Sequence, residues 1–207
     1  MKNKKSVPFE FDGVAKNYDL ATFLSQGYQQ DLQLSVNRMN LQGNEYITDL
    51  CCGTGKSTRA CFNKIDSGKV VAIDNSKEML EVAKSKLIHD NITFVQADVM
   101  ELDYPDNSFD AIFMAYGIRN MPDYNKCLKN LRRMLKPGGI ICFHEYSLSD
   151  NNFSKLYWKF LGYFMIIPIS TVISGSSGIY RYLIKSVLNF PAPDKFLDIL
   201  KSCGFKD

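Results

Sequence analysis

Histidine is scarce in this chain of 207 residues, which contains only His89 and His144. Two histidines so far apart do not make the clusters that bind zinc, and none of the six cysteines has the spacing of a zinc knuckle. The sequence therefore predicts no metal site. It also predicts no disulfide framework. Four of the six cysteines fall inside apolar or helical segments, which is typical of reduced thiols in a cytoplasmic protein.

An excess of charge of either sign is also lacking. The 25 basic and 22 acidic residues give a formal net charge of +3, and this balance argues against general nucleic-acid binding. The basic residues within 1–5 are not followed by the apolar run of a signal peptide, because acidic residues come directly after Val7, Pro8 and Phe9. We therefore expect a cytoplasmic protein.

An uninterrupted apolar run that could cross a membrane is missing as well. Residues 160–180 carry no charge over 21 positions, but Gly162, Pro168 and the Ser/Gly run 174–178 interrupt them. We therefore expect no transmembrane helix. Aromatic side chains between Phe153 and Phe164 are expected to pack a cap helix on the core, to line a tunnel for an apolar substrate tail, or to touch the bilayer surface.

Alternating strand and helix patterns dominate the middle of the chain. Short β-branched or apolar runs predict five buried strands, at 46–50, 69–73, 92–95, 109–115 and 139–143. Ser76 and Asp123 are placed to begin helices between these strands, and the second helix is expected to stop at 136–139. Strands that alternate with helices predict an α/β fold with a mostly parallel, doubly wound sheet.

Helical patterns flank this core on both sides. Residues 9–39 are mainly helical in pattern, as are 153–167, 178–188 and 193–203. We expect one domain over 1–207. Its expected parts are an N-terminal helical lid (1–44), a ligand-binding core (45–147), a helical cap (148–192) and a last helix (193–207).

The loop after the first strand, Asp49–Thr58, reads DLCCGTGKST and suggests three different ligands. Its Gly-Lys-Ser resembles the end of a phosphate loop, but Leu50 stands where that motif needs its first glycine. Gly53 and Gly55 partly match the dinucleotide fingerprint, with Thr58 in place of its third glycine. An acid followed by Gly-x-Gly resembles motif I of class I S-adenosylmethionine (SAM) methyltransferases.

Acids at three successive strand ends favour the third ligand. Asp49, Asp74 and Asp98 lie at the ends of three successive strands, so a parallel sheet would place them in one crevice at its carboxyl edge. Asp74 can accept both ribose hydroxyls of SAM, Asp98 the adenine amino group, and Asp49 either a loop N–H or the SAM ammonium. Val99 can pack on the adenine ring. Each acid alone could instead be a helix cap or part of a solvated turn.

Two further motifs are much more particular, Tyr-Gly-Ile-Arg-Asn at 116–120 and Tyr-x-Tyr-Leu-x-x-Ser at 180–186. With these motifs, residues 9–207 resemble the ubiquinone/menaquinone-biosynthesis C-methyltransferase family. The motifs at 105–110 and 135–139 also match, but they are common to many SAM methyltransferases. The remaining matches lie at 11–19, 49–55, 72–80, 145–147 and 190–191.

This resemblance implies a Rossmann-like class I methyltransferase that transfers a methyl group from SAM to a ring carbon of a polyprenyl quinol, either demethylmenaquinol or a benzoquinol. Peripheral contact with the inner face of the membrane and a homodimer are both compatible with it. The cofactor-binding residues expected are Tyr18, Asp49, Gly53, Thr54, Gly55, Asp74, Asn75, Asp98, Val99 and Ala115.

Three residues are expected to act on the substrate. A ring carbon is a weak nucleophile until a neighbouring hydroxyl loses its proton. Arg119 is expected to stabilise the phenolate, with Asn120 fixing the hydroxyl and Tyr182 as a candidate for proton transfer. His144 and Glu145 are further candidates for that transfer.

The sequence departs from the family in three places. Gln29–Gln33 stands where a basic, aromatic motif is usual, His144 replaces an apolar residue, and the antiparallel hairpin expected after Gly204–Phe205 is absent. A SAM methyltransferase of another small molecule, a non-catalytic SAM-binding subunit and a nicotinamide dehydrogenase therefore stay as alternatives.

Overall fold

A parallel sheet of five strands forms the centre of the protein. The computed structural model describes residues 27–174 and 177–206, without the side chains of residues 173 and 174. The strand order is β3-β2-β1-β4-β5, and all four pairings are parallel. The five strands are β1 (Tyr46–Leu50), β2 (Lys69–Asp74), β3 (Ile92–Gln96), β4 (Phe109–Ala115) and β5 (Leu135–His144).

Helices cover both faces of this sheet. Ser76 and Asp123 cap the two helices predicted from them, since each side chain accepts a hydrogen bond from the first turn. One short 3₁₀ turn, at Val99–Glu101, follows β3, and another, at Ile118–Asn120, follows β4. The helices are α1 (Tyr28–Asn37), α2 (Lys56–Phe62), α3 (Lys77–Lys86), α4 (Tyr124–Met134), α5 (Asn152–Leu161), α6 (Ile167–Ser174), α7 (Gly178–Asn189) and α8 (Pro193–Ser202).

The alternation of side chains along β4 divides the core into two main layers. Ala111 and Phe113 face a cluster that contains Leu32 of α1 and Ala60 of α2. Ile112 and Met114 face the other way, into a cluster with residues of α4 and α8. Burial of each large apolar side chain contributes roughly 1.5–3 kcal/mol, so the two layers hold the sheet and its carboxyl edge in place.

The start of β5 differs from the prediction. Helix α4 ends at Met134, and Leu135 already pairs with Phe109, so the strand begins four residues before the predicted position. The pairing then jumps to Ala111 with Ile140, which leaves residues 136–139 as a bulge with Gly138 at φ +76°. The helix thus stops directly before residues 136–139, as predicted, but the Pro-Gly-Gly sequence also forms a bulge inside the strand, which was not predicted.

The apolar segment after α5 is more continuous than predicted. Gly162 and Pro168 do not break it, because α5 runs through a π-helical turn at Gly162–Ile166 into α6. The wider turn precedes Pro168, which has no N–H to donate to the helix. Gly162 also packs tightly against α7, where a Cβ would lie 2.5 Å from Cδ1 of Ile184.

The structure tests some of the remaining predictions, on strand direction, membrane-spanning helices and the first helix, but not the division into parts. Within the described ranges, the sheet has no antiparallel strand, and no helix is both long and apolar enough to cross a membrane. Of the helical pattern over 9–39, α1 is observed, whereas residues 1–26, including Tyr18, lie outside the described residues. The division into lid, core and cap stays a prediction.

Candidate active site

A cavity of about 620 Å³ opens at the carboxyl ends of the central strands. The loops after β1, β2, β3 and β4 all contribute to its wall, so one edge of the sheet supplies most of the site. Seven of the ten predicted cofactor residues line it: Gly53, Thr54, Asp74, Asn75, Asp98, Val99 and Ala115.

The loop after β1 turns sharply on three left-handed residues. Cys51, Gly53 and Gly55 have φ values of +57°, +53° and +85°. Gly55 does not line the cavity; it begins α2 with its Cα packed against α3, where a Cβ would lie 2.9 Å from Leu87 Cδ1 and 3.1 Å from Ala83 Cβ. Gly53 has open space beside it instead, so the backbone at Gly53 is exposed to a ligand.

Asp49 lies beneath this loop and does not line the cavity. Its Oδ2 accepts hydrogen bonds from the hydroxyls of Ser57 (2.8 Å) and Thr58 (2.7 Å), and its buried Oδ1 has no partner. Burial raises the pKa of the Asp49 carboxyl to about 7, against the opposing effect of these two bonds. The Lys-Ser-Thr sequence that resembled a phosphate loop thus supplies hydroxyls to Asp49, and the predicted contact with a loop N–H is replaced by these hydroxyl contacts.

Asp74 joins the loops that follow β1 and β2. Its Oδ2 accepts from the backbone N–H of Gly53 (2.8 Å), and its Oδ1 accepts from that of Ser76 (2.9 Å). Each carboxylate oxygen has a second lone pair, so Asp74 can hold the loop and accept a ligand hydroxyl together. The contact with Gly53 was not predicted.

Asp98 caps the 3₁₀ turn after β3, where its Oδ1 accepts from the N–H of Met100 (2.9 Å). It also lines the cavity, so the cap and the ligand contact do not exclude one another. Val99, almost fully buried, lies beside it and gives this end of the cavity an apolar wall.

The 3₁₀ turn after β4 brings Arg119 and Asn120 to the cavity. Arg119 forms a buried ion pair with Glu145, the side chains being 7% and 5% exposed, and its Nε donates to Ser186 Oγ (3.2 Å). The second oxygen of Glu145 is buried without a partner. Burial raises the pKa of Glu145, although the Arg119 charge acts to lower it.

Tyr182 supports Asn120 from behind and does not line the cavity. Its hydroxyl donates to Asn120 Oδ1 (3.0 Å), and Asn120 Nδ2 donates to the carbonyl of Tyr116 (3.2 Å). The three residues predicted to be catalytic are therefore adjacent, but only Arg119 and Asn120 are at the cavity wall.

His144 also lies behind the cavity, at the end of β5. Its ring nitrogens are 2.8 Å from Ser35 Oγ and 2.8 Å from the hydroxyl of Tyr116. Tyr116 and Tyr28 are stacked with ring centroids 5.5 Å apart, and both line the cavity. Tyr28 is not among the predicted site residues, because helical periodicity alone does not show that the start of α1 reaches the carboxyl edge.

Comparison with known proteins finds relatives along the whole chain. A model of the ubiE/COQ5 methyltransferase family matches residues 1–207. Ubiquinone/menaquinone biosynthesis C-methyltransferase UbiE of Rickettsia akari is 36% identical over 215 residues, covering 100% of this chain and 87% of the relative. Demethylmenaquinone methyltransferase of Staphylococcus aureus is 32% identical over 208 residues, covering 98% and 86%.

Solved structures show the same fold at lower identity. A chain of the complex between the Haloferax volcanii Trm112 methyltransferase activator and a methyltransferase has a TM-score of 0.72 at 19% identity, covering 94% of this chain and 76% of that one. Phosphoethanolamine N-methyltransferase 2 of Haemonchus contortus, solved with S-adenosylhomocysteine, has a TM-score of 0.69 at 22% identity, covering 95% and 42%. The fold is the Rossmann-like fold of class I methyltransferases, and the chain belongs to the ubiE/COQ5 methyltransferase family.

Proposed function

We propose that the protein transfers a methyl group from SAM to a ring carbon of a polyprenyl quinol, demethylmenaquinol or a benzoquinol, in quinone biosynthesis. The observation that carries the proposal is the single cavity that combines Asp74 and Asp98 with Arg119 and Asn120. The names of the Rickettsia and Staphylococcus relatives support the same reaction.

The residues around the cavity fit SAM. Asp74 and Asp98 offer carboxylates for the ribose hydroxyls and the adenine amino group, and the open backbone at Gly53 admits a ligand. The unpartnered Oδ1 of Asp49, buried beneath the loop, would hold the ammonium through water, which relieves a buried acceptor. SAM supplies a methyl group on a sulfonium, so the protein needs to provide mainly orientation and exclusion of water.

Arg119 and Asn120 are suited to act on the quinol hydroxyl. A guanidinium at the cavity wall stabilises a phenolate, and that charge makes the neighbouring ring carbon nucleophilic. Glu145 keeps the guanidinium in one orientation, and Tyr182 does the same for the Asn120 amide. Both polar groups are thus preorganised before substrate binds.

A row of aromatic side chains leads from the cavity to α5. Tyr116 contacts Tyr146 with ring centroids 4.9 Å apart, and Tyr146 contacts Trp158 at 5.8 Å. Beyond Trp158, α5 and the π-helical turn expose Phe153 (78%) and Phe164 (71%), together with Leu156, Tyr157, Phe160 and Tyr163. We propose that the prenyl tail follows this row and that the exposed face lies on the inner surface of the membrane.

Turnover of a short-chain quinol with radiolabelled SAM tests the reaction. Purified protein should contain or bind SAM, and Arg119→Gln should lose at least 10-fold in kcat, while Arg59→Gln, an exposed arginine outside the cavity, should not. Wild-type turnover by Arg119→Gln at saturating substrate would remove Arg119 from the mechanism. Methylation of other metabolites but not of quinols, SAM binding without turnover, or NAD binding in place of SAM would each favour an alternative.

Liposome flotation tests the membrane contact. The triple variant Phe153→Ser/Phe160→Ser/Phe164→Ser should float less than wild type with vesicles that contain anionic lipid. Leu34→Ser/Leu197→Ser, which removes two exposed leucines from other surfaces, is the matched control. Equal flotation of all three proteins would count against the contact.

A further inference from the structure

Tyr116 is the residue through which several parts of the site are joined. Its backbone has φ +57°, a conformation uncommon for a bulky side chain. Its carbonyl accepts from Asn120 Nδ2 (3.2 Å), and the Arg119 guanidinium lies 5.8 Å from its ring centroid. Any movement of Tyr116 therefore moves the two groups proposed to act on the substrate.

His144 holds Tyr116 at two points. The carbonyl of His144 accepts from the Tyr116 N–H (2.8 Å), and its Nε2 is 2.8 Å from the Tyr116 hydroxyl. The imidazole also meets the phenol ring edge-on, with centroids 4.9 Å apart. On its other side, His144 Nδ1 is 2.8 Å from Ser35 Oγ of α1, so the imidazole is itself fixed.

The groups around His144 favour a neutral imidazole. Burial lowers the pKa of His144; Asp31 acts in the opposite direction, and Arg38 lowers the pKa further. Among the residues that the structure describes, the other titratable groups beside it are the Tyr116 phenol and the Cys142 thiol. Burial raises the pKa of Cys142 to about 11, so the thiol is also uncharged at neutral pH. A neutral imidazole has one donor and one acceptor, and a hydroxyl on each side can complement either tautomer.

We propose that His144 is a positioning residue for methyl transfer: its Nε2 fixes the Tyr116 ring, and through Tyr116 it sets the geometry of Asn120 and Arg119. This role rests on the proposed quinol methylation. His144 does not line the cavity, so its effect is on the approach of the reacting atoms, where a displacement of about 1 Å can cost on the order of 100-fold in rate.

Two amide substitutions separate the two ring nitrogens. The amide of Asn reaches the place of Nδ1 and keeps Ser35, whereas the amide of Gln reaches the place of Nε2 and keeps Tyr116. His144→Asn should therefore lower kcat about 10-fold, with KM for the quinol and Kd for SAM changed less than threefold. His144→Gln should restore most of kcat.

A double-mutant cycle links the effect to Tyr116. Tyr116→Phe should lower kcat, and adding His144→Asn to it should lower kcat no further, because both substitutions remove the same bond. His89→Asn, which changes the other histidine on an exposed loop, is the matched control and should keep wild-type kcat. Rates are counted per SAM-binding site, so a partly unfolded sample does not lower them.

The proposal fails if His144→Gln is as slow as His144→Asn, or if the Tyr116→Phe and His144→Asn effects add. A measurement without substrate keeps this separate from the proposed function. In ¹⁵N NMR spectra, Tyr116→Phe should shift the His144 Nε2 resonance more than Nδ1. An enzyme inactive on every quinol that still shows this shift contradicts the quinol reaction alone; no shift overturns the contact itself.

Discussion

Arg119 and Glu145 form an ion pair whose side chains are both more than nine-tenths buried. Arg119 follows β4 and Glu145 follows β5, so the pair joins two neighbouring strand ends, and Ser186 adds a contact from α7. The positive charge at the cavity wall is therefore balanced before any substrate arrives.

Removal of one partner of this pair should destabilise the protein strongly. Glu145→Ala leaves the Arg119 charge buried without a counter-ion, and such changes typically cost about 3–5 kcal/mol. The double variant Arg119→Met/Glu145→Leu should lose less, because it leaves no unpaired charge. Urea unfolding of the two variants measures the difference, and equal losses would contradict the burial of an unpaired charge as the cause.

Asp49 should make the ligand-free protein less stable as pH rises. Its pKa is raised from 3.8 to about 7 in the folded state, so between these values the folded state binds more protons than the unfolded state. Stability present near pH 4 is then lost up to about pH 8, by at most about 4 kcal/mol. Asp49→Asn should flatten this part of the pH profile in thermal unfolding.

The same carboxyl should couple SAM binding to a proton. If the SAM ammonium pairs with ionised Asp49, affinity should rise with pH between about 6 and 8, and binding should release a proton. Calorimetry in buffers of different ionisation enthalpy measures that release. An affinity independent of pH over this range would show that Asp49 keeps its proton state on binding.

The two glycines of the loop should differ in their tolerance of a side chain. Gly55→Ala meets both a left-handed backbone and contacts of 2.9 and 3.1 Å with α3, so we expect a loss of about 2–4 kcal/mol. Gly53→Ala meets only the backbone strain, about 1 kcal/mol. Denaturant unfolding measures the free energy of unfolding of both variants. A larger loss for Gly53→Ala than for Gly55→Ala would contradict the prediction.

His144 should contribute stability that acid removes. Burial depresses its folded pKa below 6.5, so its contribution is present above that pH and is lost as pH falls through the folded value. The difference in melting temperature between wild type and His144→Asn should therefore shrink from pH 7.5 to pH 5. A constant difference would mean that His144 does not titrate in this range.

Local patterns were enough to predict most of the fold. The runs at Tyr46–Leu50 and Phe109–Ala115 have the observed bounds, and the Ser76 and Asp123 caps were confirmed, because period and capping depend on neighbouring residues. The start of β5 was wrong because pairing of Leu135 with Phe109 depends on a residue 26 positions away.

The candidate site also has one part that could be predicted from local sequence and one part that could not. The motif and the strand ends predicted which residues line the cavity on the side of Asp74 and Asp98. The pairs Arg119–Glu145, Asn120–Tyr182 and His144–Tyr116 join distant parts of the chain, and no spacing in the sequence shows which of them meet. Position at the cavity wall therefore could be predicted, but the partner of each side chain could not.

The strand order has a consequence for how this protein can change over generations. The chain adds strands to one side of β1 and then, from β4 onward, to the other side. The acids proposed for SAM therefore lie at the ends of β1, β2 and β3, while the groups proposed for the quinol come from the ends of β4 and β5 and from α7. A mutation in β5 or α7 can alter the acceptor while the strands that would bind the methyl donor stay as they are. The fold thus lets specificity for the methyl acceptor evolve among homologues while binding of the methyl donor is retained.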